Sequence, residues 1–337
     1  MFPSPAKTLV IREEFAVSGA EPIIETHDLR RTFRSQTGDV DAVAGVTLSV
    51  AAGDIFGFLG PNGAGKTTTL RMLATLLPPT SGQATVAGFD VARRPDQVRR
   101  QIGYVAQSGG SYRSATGREE LVIQGRLFDM RKEAAQQRAQ EILDALDLAD
   151  AADRPCSTYS GGMRRRLNIG IGMVHRPAVL FLDEPTTGLD PQARARMWEE
   201  IRGLRERGTS VFLTTHYLEE ADALCDQLAI IDHGRIVSEG SPDALKRQVA
   251  GDVLTIGVIG DTERVVLLLR NQPFVREASL EDGLVRLYVD RGEEAVPHVL
   301  RLLDGHGMAP QTMSLHRPSL DDVFLKQTGR SLRESAA

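Results

Sequence analysis

A lysine and a threonine close a glycine-rich run, Gly60-Pro61-Asn62-Gly63-Ala64-Gly65-Lys66-Thr67. It fits G-x-x-x-x-G-K-[ST] at every fixed position, the spacing of a loop that cradles the phosphates of a nucleoside triphosphate. The glycines let the backbone turn its N–H groups onto phosphate oxygens, and the helix start that follows adds partial positive charge. Lys66 would bring a full charge to the β/γ-phosphates, and the Thr67 hydroxyl could ligate Mg²⁺. Thr68, next along, falls in the same phosphate-binding set. The bland alternative is a glycine turn beside a surface lysine.

A second group of residues could do the chemistry on such a ligand. Asp183 and Glu184 are adjacent carboxylates needing separate tasks: Asp183 to hold Mg²⁺, Glu184 to polarise the water that attacks the γ-phosphate. His216 could contact the γ-phosphate, and Gln107 could complete the Mg²⁺ shell. Taken singly, each has a structural reading: solvated carboxylates, a strand-end histidine, a polar turn residue. Asp190 is a helix N-cap with Pro191 at the first helical position, a role compatible with a contact across a dimer interface.

Elements that would position these side chains are readable around them. Ile55-Phe56-Gly57-Phe58-Leu59 is a buried strand leading into the cradle, and Thr68 to Leu73 carries apolar residues at helical spacing. Val179 to Leu182 is a continuous apolar run, as in a parallel strand buried on both faces, and delivers Asp183 and Glu184 at its carboxyl end. Ile102 to Ala106 ends at Gln107, and Val211 to Thr215 ends at His216, in the same manner. The implied architecture is an α/β P-loop NTPase.

A third motif, Tyr159-Ser160-Gly161-Gly162-Met163, opens the helix Met163-Arg164-Arg165-Arg166-Leu167. With the other two it resembles the nucleotide-binding subunits of ABC transporters over roughly residues 22 to 245. Most of that superfamily has Leu and Gln where this chain has Tyr159 and Met163. The Tyr-Ser-Gly-Gly-Met-Arg-Arg-Arg version is similar to the daunorubicin-resistance type of bacterial drug and lipid exporters, which often carry Asp where this chain has Asn168. The resemblance implies an ABC cassette: mixed sheet core, antiparallel β subdomain, and a helical subdomain at about 108–175. It also implies that Ser160, Gly161 and Gly162 meet the ATP of a partner subunit, giving a sandwich homodimer, and that Phe33 stacks on adenine, with a core phenylalanine as the alternative. A solvated face is expected for at least two of Arg164, Arg165 and Arg166.

The chain has 337 residues, suiting one large domain and one small one. Net charge is −5 with no basic stripe, which lends no support to a nucleic-acid partner. No uncharged apolar run approaches the ~20 residues that cross a bilayer, and Lys7, Arg12, Glu13 and Glu14 make the first twenty residues unlike a secretory signal. Cys156 and Cys225, the two cysteines, suggest neither a disulfide framework nor a metal site. Arginine far outnumbers lysine, as in high-GC bacteria. The expected location is the cytoplasmic face of a membrane, by way of a separate permease.

Residues 1–20 read as a flexible extension and 21–249 as the nucleotide-binding unit. Within it, 23–50 read as short alternating strands and 116–148 as helical, with a Thr116/Glu119 capping box and Ala139, Ile142, Leu143 and Leu146 on one face. Ser108 to Gly117 is a loop that, by the resemblance, helps meet the permease. Residues 250–316 show the order β-α-β-β-α-β of a ferredoxin-like, split-βαβ accessory domain, and 317–337 a terminal helix and tail. That accessory part has no glycine cradle and is expected to regulate or stabilise the dimer, leaving nucleotide binding to the cassette. The function implied is an ATPase, with ATP and Mg²⁺, that powers export of drugs or other hydrophobic compounds. The alternatives are a soluble ABC-type ATPase not coupled to transport, and a non-hydrolysing regulator, which intact Lys66, Asp183, Glu184 and His216 argue against.

Overall fold

The computed structural model describes residues 22–35, 38–107, 114–249, 251–258, 260, 262–281 and 283–332. The extension at 1–20, most of the loop at 108–117 and the end of the tail lie outside those residues. The first two strands, β1 (Ile24–Phe33) and β2 (Val40–Val50), alternate buried and exposed residues and pair antiparallel. After β3 (Ile55–Leu59) and α1 (Lys66–Leu73) come β4 (Ser81–Val86), β5 (Phe89–Asp90), α2 (Pro95–Gln101) and β6 (Ile102–Val105). The antiparallel sheet has the order β2-β1-β4-β5, so the alternation at 23–50 belongs to two long strands of a four-stranded layer.

Helical periodicity then yields α3 (Gly117–Leu127), α4 (Lys132–Ala145) and α5 (Gly161–Met173). The Thr116–Glu119 capping box forms with both reciprocal bonds, and Ala139, Ile142, Leu143 and Leu146 are buried together. The chain continues through β7 (Val179–Asp183), α6 (Pro191–Glu206), β8 (Ser210–Thr215), α7 (Leu218–Leu224), β9 (Gln227–Asp232), β10 (Arg235–Gly240) and α8 (Pro242–Gln248). The main sheet runs β10-β9-β3-β8-β7-β6, parallel except for the antiparallel edge strand β10.

The central strands are buried throughout, and apolar except at their ends, because both faces are covered. On one face Phe56, Phe58, Phe181 and Phe212 pack with α1 and the antiparallel layer, Phe56 stacking on Phe212 at 5.4 Å between ring centres. On the other, Ile55, Leu180, Leu182, Val211 and Leu213 meet Met197, Ile201 and Leu204 of α6. Parallel registry levels the strand ends: Leu59 opposes Thr215, Asp183 opposes Thr214, and Val105 opposes Leu182. The residues leaving those four strands therefore emerge along one edge.

The C-terminal part comprises β11 (Asp252–Val258), α9 (Thr262–Arg270), β12 (Val275–Glu281), β13 (Leu284–Val289), α10 (Gly292–Gly305), β14 (Pro310–His316) and α11 (Leu320–Thr328). Its sheet has the order β12-β13-β11-β14, antiparallel throughout, which is the split-βαβ arrangement. Helix α11 begins at a Ser319/Asp322 capping box and lays Leu320, Val323 and Phe324 into the same cluster as α6, α7 and α8.

Candidate active site

The cradle joins β3 to α1, and its glycines serve different ends. Gly65 has φ 104°, a left-handed conformation, and a Cβ there would come within 2.3 Å of the Ala42 carbonyl oxygen. Gly60 is not left-handed; its need is space, because a Cβ would lie 2.3 Å from the Ile231 carbonyl oxygen. Lys66 is buried and donates from Nζ to the Gly60 and Pro61 carbonyls at 2.7 and 3.0 Å, so its ammonium sits across the loop. Burial pushes its pKa down, opposed by Glu184 and Asp183.

Asp183 is 1% exposed and accepts from the Thr67 hydroxyl at 2.9 Å and the Thr214 hydroxyl at 2.8 Å. Glu184, just past the strand, has φ 46°, a strained conformation for a residue with a Cβ. Its N–H donates to the Thr214 carbonyl, which holds that turn against β8. The carboxylate gathers the other expected residues. Gln107 Nε2 donates to Oε2 at 2.9 Å and Thr187 Oγ1 to the same oxygen at 3.1 Å. Lys66 Nζ lies 3.6 Å from Oε1 in ion-pair contact, and His216 Nδ1 lies 3.3 Å from it without hydrogen-bond alignment. Burial alone would raise the Glu184 pKa; His216, Lys66 and Thr187 outweigh it and hold the group below the usual carboxylate value.

Thr67 and Asp183 thus stand together as hard oxygen donors, the type that suits Mg²⁺. The Gln107 amide nitrogen engages Glu184 instead of that pair. Pro61, Asn62, Gly63, Ala64 and Thr68 lie in the loop and first turn with Lys66, and the tip at Gly63 is open to space beyond its Cα. Ser160 caps α5, accepting from Met163 N–H at 3.2 Å, and Gly161 has open space around it. Gly162 approaches Ala193 near the start of α6, whose N-cap Asp190 accepts from Ala193 N–H at 2.8 Å. Among the described residues no hydrogen bond joins Ser160, Gly161, Gly162 or Asp190 to the cradle. Phe33 is 39% exposed at the end of β1 with the Arg31 guanidinium 4.8 Å from its ring centre, so the alternative of a core phenylalanine does not hold.

The solvated face expected for at least two of the three arginines is corrected by the structure: one of them, Arg164, is exposed. Arg166 is half-buried and donates to the Leu146 carbonyl at 2.7 Å. Arg165 is buried, and its guanidinium donates to the carbonyls of Pro185 at 2.7 Å, Ala106 at 2.6 Å and Asp183 at 3.0 Å. Burial lowers its pKa against the pull of Asp183, Glu220 and Tyr104. Its spacing from buried Ile169 and Gly172, four and seven residues on, is the helical signal that marks it as inward-facing. Glu220 also escaped sequence reasoning: it is fully buried, accepting from Thr186 at 2.7 Å and Trp198 at 3.2 Å, and so ties the chain after Glu184 to α7. Tyr159, where the superfamily has Leu, is buried and donates its hydroxyl to the Ala151 carbonyl at 2.7 Å, fastening the signature to the helical layer.

Comparison with known proteins agrees with this geometry. Residues 43–187 match the ABC transporter family model and 240–328 the C-terminal domain of DrrA1-3-like ATP-binding proteins. The chain is 46% identical over 303 residues to a daunorubicin resistance ATP-binding protein of Streptomyces coeruleorubidus, covering 89% of this chain and 94% of that one. It is 42% identical to the daunorubicin/doxorubicin resistance ATP-binding protein of Streptomyces peucetius, covering 93% and 96%. It is 40% identical to a Nod factor export ATP-binding protein of Burkholderia lata, covering 90% and 97%. Among solved structures, an ATP-binding subunit of an ABC transporter superposes with a TM-score of 0.60 at 27% identity, covering 67% of this chain and 92% of that chain. A dimeric ATP-binding cassette in a post-hydrolysis state with ADP and Pi shares the fold, with a TM-score of 0.60 at 23% identity over 65% of this chain and 98% of that one. The chain belongs to the ATP-binding subunits of ABC transporters, in the branch of the daunorubicin-resistance ATP-binding proteins.

Proposed function

We propose that this ABC ATPase drives export of drugs or other hydrophobic compounds through a separate membrane permease. The observation that carries the catalytic half is the convergence of Lys66, Gln107, Glu184 and His216, beside the Thr67–Asp183 pair, at the ends of four parallel strands. In this reading Gly60 to Thr68 cradle the triphosphate and Lys66 neutralises its β/γ oxygens. Thr67 and Asp183, with the amide oxygen of Gln107, would hold Mg²⁺, which when bound neutralises phosphate charge. Glu184, kept ionised by its neighbours, orients and polarises the attacking water, while His216 steadies the γ-phosphate. Phe33 offers its exposed ring to adenine. Ser160, Gly161, Gly162 and Asp190 lie at surface helix starts, suited to closing on the ATP of a second copy in a two-fold dimer.

Residues 21–249 form the nucleotide-binding unit, 250–316 an accessory domain and 317–337 a terminal helix and tail. No described helix is long and apolar enough to cross a membrane. In this reading the permease is a second chain that holds this subunit at the cytoplasmic face. Export rests on the relatives, whose names are of drug resistance and Nod factor export.

Two variants test the catalytic assignment. Glu184→Gln should keep Mg-ATP affinity while losing about 10²- to 10⁴-fold in hydrolysis, the usual loss of a positioned base. Lys66→Ala should weaken nucleotide binding itself. Near-wild-type turnover in Glu184→Gln removes the carboxylate from its role. For export, coexpression with the adjacent reading frame should give a stable complex whose ATPase responds to a panel of drugs and lipids; recovery of this chain alone argues for the uncoupled ATPase.

A further inference from the structure

The hairpin of β9 and β10 turns on two residues, His233 and Gly234, with φ 46° and 73°. Two-residue hairpins of this twist require positive φ at both positions. The tip presses on the phosphate loop. Gly234 N–H donates to the Ala64 carbonyl at 2.9 Å, and the Gly234 carbonyl accepts from Ala44 N–H at 2.8 Å. A Cβ on Gly234 would meet Ala44 N at 2.9 Å, and the Ile231 carbonyl fills the space beside Gly60. Hairpin and cradle are in backbone contact, so a shift of one moves the other.

The C-terminal segment grips the same hairpin. Arg330 Nη2 donates to Asp232 Oδ1 at 2.6 Å and lies 3.2 Å from His233 Nε2. Arg330 is itself held in place. Helix α11 ends at left-handed Gly329, the Thr328 hydroxyl lies within hydrogen-bond reach of both the Phe324 and Arg330 carbonyls, and Ser331 Oγ and Leu332 N both donate to Asp321 Oδ1 at 3.0 Å. Leu332 is buried in the main core. A residue far from the cradle in sequence is thereby fixed one side chain away from the turn that supports Ala64.

We propose that Arg330 is a positioning residue for nucleotide binding, acting through Asp232 and the His233-Gly234 turn on the backbone of the phosphate loop. The inference rests on the reading of Gly60–Thr67 as a Mg-ATP cradle. It departs from the expectation that the C-terminal part leaves nucleotide binding to the cassette. The Asp232–Arg330 pair is partly exposed, so its effect is modest and screened by salt.

The test is Mg-ATP affinity of the purified full chain at low salt, by calorimetry, with Lys66→Ala as control. Arg330→Ala and Asp232→Asn should each raise Kd about two- to fivefold, a span set by the worth of exposed ion pairs. The double variant should be no worse than Arg330→Ala, which already removes the pair. Arg330→Lys should recover most of the affinity, and 1 M salt should erase the differences, as the screening length falls to about 3 Å. Wild-type Kd in Arg330→Ala overturns the brace, as does a double variant whose losses multiply. Absence of Mg-ATP binding by the wild-type chain, or undiminished binding by Lys66→Ala, overturns the cradle reading and the brace with it.

Discussion

Replacing Arg165 by alanine should damage stability and hydrolysis together while leaving nucleotide affinity largely intact. Its guanidinium makes three close hydrogen bonds, to Pro185, Ala106 and Asp183 carbonyls, with longer ones to Glu184 and Gln107. A hydrogen bond from a charged donor is worth about 1.5–3 kcal/mol, and each carbonyl left without a partner costs about 1–3 kcal/mol. Removing the desolvated charge offsets part of this. The net loss should be about 3–5 kcal/mol, which lowers Tm by roughly 4–7 °C for a chain of this size. All five acceptors lie in the segments that carry Gln107 and Glu184, and none lies in the cradle, so turnover should fall more than Mg-ATP affinity. A thermal-shift scan, a steady-state ATPase assay and a binding isotherm on the same preparation read the three quantities. Arg165→Lys keeps the charge on one nitrogen and cannot span acceptors on both strands, so it should fall between alanine and wild type. A Tm within about 2 °C of wild type with unchanged turnover would refute the strut.

Two further perturbations probe other parts of the molecule. Phe324 is fully buried among the residues that join α11 to the main sheet, so Phe324→Ala should cost about 3–5 kcal/mol in chemical denaturation, while Phe324→Leu should lose much less; equal, small losses would mean that the helix packs loosely. Burial raises the Glu220 pKa above its ordinary 4.5, against hydrogen bonds from Thr186 and Trp198. The native state then holds this proton more tightly than the unfolded chain. The stability it lends is complete below about pH 4.5 and is lost as pH rises through the elevated folded value. Glu220→Gln, which stays neutral, should therefore gain on wild type in Tm as pH rises from 4.5 to 8, and a constant difference across that range would contradict the sign.

The cradle was legible because its glycines, lysine and threonine have a fixed spacing, and the strand ends because fully covered parallel strands are apolar without interruption. Asp190 with Pro191, and Thr116 with Glu119, announced helix starts by capping chemistry that acts within one turn. What stayed hidden depends on which way a side chain faces. Arg164, Arg165 and Arg166 look alike in sequence, yet one of them enters the core. Glu219 and Glu220 are adjacent and chemically identical, yet only Glu220 is sealed between Thr186 and Trp198. The hairpin at 227–240 was missed because its turn is His233-Gly234, outside the commonest Asn-Gly and Asp-Gly pairs. Gln107 was placed at the right strand end, but its amide partner is the neighbouring carboxylate Glu184, a contact that no spacing rule encodes.

The packing of Val253, Tyr288, Leu320, Val323, Phe324 and Leu332 into one cluster with the main-sheet residues Leu180, Val211 and Leu213 bears on how the molecule comes apart. Apolar surface shared between two segments cannot be exposed on one side alone, so the ATPase sheet and the terminal helix should lose structure in a single cooperative step. During synthesis α11 emerges after the sheet it covers, and until it seats the sheet carries an unsealed apolar flank. A chain stopped short of Leu320 would keep that flank open to solvent, to chaperones and to other copies of itself. Its failure would be seen first as aggregation.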